Sequence, residues 1–94
     1  MSERIERIRV ALEKMHGAKA VHVSSVPVRE VFRGEPIWEG VIEAFDLTGH
    51  AKAKRAYAWE IPGPKLDYVG VLEIPPVTSP QTAVKVYVAS LDKR

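Results

Sequence analysis

Ile5, Ile8, Leu12 and Met15 recur at intervals of three, four and three, the spacing that gathers apolar side chains on one face of a helix. Ser2 stands at the N-cap position and Gly17 at the left-handed C-cap, so a helix is predicted over residues 2–16. Glu3 with Arg7 and Arg9 with Glu13 have the i, i+4 spacing of charge pairs on its outer face, each worth about a few tenths of a kcal/mol.

From Ala20 the period drops to two, with Val21 and Val23, then Val26 and Val28 beyond the Ser24-Ser25 pair. The apolar face slips by one at the serines, which predicts a bulge or bend, and Pro27 places this strand, or its distorted part, at a sheet edge. Arg33-Gly34-Glu35-Pro36 reads as a turn and Ile37 to Leu47 as the second strand, closed by Thr48-Gly49-His50. Lys54 to Ile61 forms a third strand, Pro62-Gly63-Pro64 a turn, and Tyr68 to Ile74 a fourth. Connections this short make successive strands antiparallel. The last segment fits two readings. Ser79-Pro80 is a helix start, with Val84, Tyr87, Val88 and Leu91 on one helical face, while Val84, Val86 and Val88 also alternate as a strand would.

The predicted fold class is therefore α+β: an N-terminal helix, a four-stranded antiparallel sheet and a C-terminal helix, with both helices on one face of the sheet. The other face is expected to be free for solvent or a partner. At 94 residues the chain accommodates one domain, spanning 1–94, and no second core. Its 46% hydrophobic and 28% charged residues place it among ordinary soluble globular domains. No apolar run approaches the roughly 20 residues of a membrane span, and the charged N-terminus does not read as a secretory signal, so a cytoplasmic protein with no membrane partner is expected. The absence of cysteine removes disulfides and thiolate chemistry.

Charge is unevenly spread. Residues 20–47 carry two basic against five acidic groups, whereas residues 48–65 carry Lys52, Lys54, Arg55 and Lys65 against Glu60 alone. Such segments either pair with each other or present the basic one to an anionic partner.

No catalytic signature occurs. The serines at 24, 25, 79 and 90 lack a glycine-flanked elbow, and the glycines stand singly, with no phosphate-cradling loop. His16, His22 and His50 show no metal-binding spacing, so neither metal nor other cofactor is expected. Glu39 and Glu43 share a strand face and Asp46 takes the other, an arrangement read as cross-strand ion pairing with the basic third strand. Trp38, with Gly40, Ile42 and Ala44 on its face, reads as a sheet-packing residue.

Phe45 to Trp59 is the segment richest in candidate chemistry. Arg55, Tyr57 and Trp59 alternate onto one face of the third strand, beside a turn bearing His50 and Lys52, with Lys54 on the opposite face. Two placements satisfy this pattern: the rings form core beneath the helices, or they present a face that stacks on bases while the cations meet phosphates.

The stretch Trp38-Glu39-Gly40-Val41-Ile42-Glu43-Ala44-Phe45-Asp46-Leu47-Thr48-Gly49-His50-Ala51-Lys52-Ala53-Lys54-Arg55-Ala56-Tyr57-Ala58-Trp59, followed by Val71-Leu72-Glu73-Ile74-Pro75-Pro76-Val77-Thr78-Ser79-Pro80-Gln81-Thr82-Ala83-Val84, resembles the core of a group of small bacterial proteins of unassigned activity. The likeness covers most of the chain after residue 20 and implies no activity. The α-β-β-β-α part of the element order also resembles the double-stranded RNA-binding domain. Where that family opens its second helix with consecutive lysines, this chain has Ser79-Pro80-Gln81-Thr82, which speaks against phosphate clamping by the last helix.

The sequence thus points to a small non-catalytic binding module. One reading is RNA or DNA binding through His50, Lys52, Lys54, Arg55, Tyr57 and Trp59. The alternative is a protein-interaction module or homodimer using an exposed sheet face.

Overall fold

The computed structural model describes residues 2–91. Helix α1 (Glu3–His16) is followed by strands β1 (Lys19–Phe32), β2 (Glu35–Thr48), β3 (Arg55–Ile61) and β4 (Asp67–Leu72), and then by helix α2 (Pro80–Leu91). The strands form one antiparallel sheet in the order β1-β2-β3-β4, as the α+β reading expects. Among the described residues no helix is long and apolar enough to cross a membrane.

The caps explain where the helices begin and end. The Ser2 side chain accepts a hydrogen bond from the Ile5 N–H, and Gly17, at φ 63°, turns its own N–H back to the Glu13 carbonyl. At α2, Ser79 Oγ accepts the Thr82 N–H and Pro80 occupies the first helical position. The cap therefore prevails over the three-residue valine alternation, and the last segment is a helix. Arg9 pairs with Glu13 as the spacing predicts, whereas Arg7 leaves the helix surface to reach Glu60 on β3.

The β1–β2 hairpin is the longest unit, with 14 residues in each strand. It closes through Arg33 and Gly34, both with positive φ (54° and 80°), the backbone twist that suits a two-residue hairpin turn. The face slip predicted at the serines is a bulge that skips Val23, between the pairs His22–Phe45 and Ser24–Ala44. Pro27 lies opposite Val41 on the outermost strand, as predicted for an edge.

One expectation is corrected. The helices lie on opposite faces of the sheet, not on one. Ile8 and Leu12 of α1 pack with Ala20, Phe45, Leu47, Ala56 and Ala58, while Ala83 and Val84 of α2 pack with Val28, Ile42, Ala44, Tyr57 and Trp59. The reason is in β3: Ala56-Tyr57-Ala58-Trp59 is apolar at every position, so both faces of that strand need cover. The small residues accept α1 and the rings accept α2. Gly70, beside Ala58, extends the same logic to β4, because a Cβ there would stand 2.8 Å from Leu12 Cδ1.

Glu43 is the one charged residue among the described residues that is buried in this core, with no exposed surface. Its Oε2 receives Arg4 Nη1 from α1 at 2.6 Å, and its Oε1 receives His22 Nε2 at 2.8 Å and Ser25 Oγ at 2.5 Å from β1. Burial alone raises the carboxyl pKa, but the bonds from Ser25, Arg4 and His22 outweigh it and leave the pKa below its ordinary 4.5. An ionised carboxylate only accepts, so the His22 proton sits on Nε2.

Because the folded state lowers this pKa, its stabilisation is complete above pH 4.5 and is lost as pH falls through the lower folded value. Glu43→Gln is expected to cost about 3 kcal/mol at neutral pH, the low end for breaking a buried pair because Arg4 remains partly in water. It should also flatten the decline in melting temperature below pH 4.5. Thermal melts of both proteins from pH 7 to pH 3 check this; unchanged neutral stability contradicts it.

Candidate functional site

The sequence-predicted residues separate in the fold. Tyr57 and Trp59 are 3% and 2% exposed, sealed under α2, so the presented basic and aromatic face does not form and the core placement holds. Arg55 is half-buried and its guanidinium is bound to Asp46 on β2, with Nε and Nη2 both 2.9 Å from Oδ1. The acidic partner of the third strand is thus Asp46, while Glu43 turns to Arg4 and His22 on the other face. His50 shapes its own turn, because Nδ1 accepts the N–H groups of Lys52 and Ala53 at 3.1 and 3.0 Å. Lys52 and Lys54 are exposed.

Those two lysines gain neighbours that the sequence did not bring together. Lys19 pairs with Thr48 in the sheet, and His16 lies edge-on to His50 with ring centroids 6.3 Å apart, so the end of α1, the start of β1 and the 49–54 loop share one end of the molecule. Lys14, Lys19, Lys52 and Lys54 are all exposed there, and none forms an ion pair among the described residues.

A concavity with aromatic walls lies elsewhere, where β2 and β3 part. They pair only from Glu43–Ala58 to Asp46–Arg55, although β2 runs on outward to Glu35 and β3 to Ile61. Between the diverging arms is a cleft of about 310 Å³ bordered by Trp38, Gly40, Trp59, Glu60 and Tyr87, with Arg4 at its apex. Residues from both faces of the sheet line it, so the opening passes between the strands. Such a volume is at the small end of ligand pockets and suits one large side chain.

Each wall has a local cause. Trp38 folds back over Gly40, where a Cβ would stand 2.9 Å from its Cη2. That ring meets Trp59 edge to face at 5.6 Å between centroids, and Trp59 meets Tyr87 of α2 at 5.4 Å, contacts worth about 0.5–1.5 kcal/mol each beyond their buried area. The Trp59 Nε1 is buried and has no acceptor among the described residues. On the opposite face Arg4 spans the parting: it binds Glu43, donates to the Val41 carbonyl at 3.4 Å and lies 3.8 Å from Glu60. Leu91 borders both the cleft and a neighbouring depression that includes Phe32, Ile37 and Val88. Sequence reasoning took Trp38 as packing and passed over Arg4, Glu60 and Tyr87; the unequal lengths of the two strand pairs are the signal that marks this place.

Compared with protein-family models, with curated proteins and with solved structures, the chain matches none.

At the margin of the core, the Tyr57 hydroxyl donates to the half-buried Glu73 carboxylate, and burial of the phenol together with that bond pushes its pKa up to about 12. A raised pKa means the neutral phenol is the stabilised form. Its contribution is present below the ordinary pH 10 and is lost as pH rises toward 12. Alkaline titration followed by tyrosinate absorbance should show a late step near pH 12 that Tyr57→Phe lacks; a late step of equal size in the variant contradicts the assignment.

Proposed function

We propose that this chain is a small non-catalytic protein-interaction module whose contact site is the cleft between the outer arms of β2 and β3. The observation that carries this reading is the parting itself: two strands of one sheet separate to leave an aromatic-walled opening bordered by charged side chains. Buried aromatic anchors in a pocket with a polar rim are the usual centre of a protein interface. Exposed Ile37 and Leu91 extend apolar surface on one side of the opening, and exposed Glu39 supplies a carboxylate with no ion pair among the described residues.

A second reading rests on the lysine-rich end. Lys14, Lys19, Lys52 and Lys54 form a cationic surface suited to an anionic partner such as RNA or DNA, through phosphate contacts without base stacking, because Tyr57 and Trp59 are enclosed. Binding there would weaken steeply with salt, whereas a largely apolar contact in the cleft would weaken much less.

Selection of a random decapeptide display library on the purified full chain separates the two. Binders selected at physiological salt are expected to lose at least tenfold in affinity on Trp38→Ala and to change less than twofold on Lys52→Glu with Lys54→Glu. A library without Trp38-dependent binders contradicts the cleft. Salt-sensitive nucleic-acid binding lost only in the lysine variant would place function at the cationic end.

A further inference from the structure

Antiparallel pairing fixes which backbone groups of β2 turn toward β3. The Leu47 N–H donates to the Lys54 carbonyl, so Leu47 faces β3, and the two-residue period gives Phe45, Glu43, Val41 and Glu39 the same orientation. The bulge at Val23 adds its extra residue to β1, so the alternation along β2 is unbroken from 47 to 39. Arg4 confirms the direction by donating to the Val41 carbonyl from the β3 side. Beyond Glu43, no strand among the described residues lies there. The N–H and C=O of Glu39 and the N–H of Val41 therefore face the opening rather than a ladder. On the other bank, Arg55 accepts from Glu73 on the β4 side, which leaves Glu60 facing the same opening.

β1 is defended where this arm of β2 is not. Val41 faces outward, so its partner Pro27 forms a non-hydrogen-bonded pair and its nitrogen lies on the outer edge of β1, where it removes a docking donor. The outer arm of β2 has no proline between Ile37 and Glu43.

Building on the protein-interaction reading, we infer that the cleft takes an extended peptide by strand addition along Glu39–Val41 of β2, with one bulky apolar side chain seated against Trp38, Trp59 and Tyr87. Alternating backbone donors and acceptors at strand spacing recognise peptide backbone. The Trp59 indole borders the cleft, and its buried Nε1 has no acceptor among the described residues. Glu39 sits beside the added strand and selects a basic residue next to the anchor.

The test uses peptides selected from the random decapeptide library on the full chain. Glu39→Pro removes the outward N–H without touching a bond to β1, whereas Glu39→Ala keeps it; N-methylation of alternate peptide amides probes the same bonds from the ligand and leaves the protein intact. Strand addition predicts at least tenfold weaker binding for Glu39→Pro and for one alternating set of N-methyl peptides. It also predicts at most about threefold weakening for Glu39→Ala, with a selected consensus of a bulky apolar residue adjacent to Lys or Arg. Trp38-dependent binders indifferent to N-methylation in every register would overturn strand addition while sparing the interaction reading. Absence of any Trp38-dependent binder would overturn both. A dimer in light scattering that Glu39→Pro dissolves would replace the peptide by a second copy of this chain.

Discussion

The buried carboxylate of Glu43 holds this fold together at the point where it opens. Glu43 is the last residue of β2 with a partner on both sides, Ser25 on β1 and Ala58 on β3. Desolvating an ionised carboxyl is costly, and it is tolerated here because Arg4, His22 and Ser25 satisfy both oxygens. Those partners tie down two pieces of structure. His22 and Ser25 flank the bulge in β1, so the carboxylate fixes the register of the hairpin where it slips. Arg4 anchors the first turn of α1, and through the Val41 carbonyl and Glu60 it bridges both banks of the parting.

The rest of the architecture follows from that constraint and from two apolar faces. An α1 placed by Arg4 covers Ala56, Ala58 and Gly70, positions small enough for close approach. On the other face α2 covers the rings that those small residues alternate with. It lies across β1 and β2, and Tyr87 reaches Trp59 at the cleft. The outer half of β2 is thus carried mainly by β1 and α2, and β3 does not pair with it. A strand edge is left open in the middle of a sheet, flanked by aromatic side chains and one unsatisfied indole N–H.

Much of the fold was legible in the sequence because local signals decide it. Ser2 and Gly17 bound α1, Ser79-Pro80 starts α2, Gly34 marks the hairpin, and the valine slip at Ser24-Ser25 marks the bulge. The placement of the helices was not, because element order does not fix layer order. The continuous apolar run Ala56-Tyr57-Ala58-Trp59 carried that information as a strand buried on both faces. The candidate site was less legible still. Its members Arg4, Trp38, Glu39, Glu60 and Tyr87 come from four elements, and no spacing links them. The visible trace was a mismatch of lengths: β1 and β2 run for 14 residues each, while His50 and Pro62 confine β3 to 7. Lys52 and Lys54 stand out in the sequence as a basic cluster, but their neighbours Lys14 and Lys19 become visible only once α1 and β1 meet the 49–54 loop.

Amide hydrogen exchange resolved along β2 reads the parted edge residue by residue. Trp38, Gly40 and Ile42 point their N–H groups at β1, Glu43 and Phe45 point theirs at β3, and Glu39 and Val41 point theirs into the opening. An open edge predicts rapid exchange at Glu39 and Val41 between slowly exchanging neighbours at Gly40 and Ile42, with protection resuming at Glu43. Uniform protection from Glu39 through Glu43 would mean that the edge is already paired, and would contradict it.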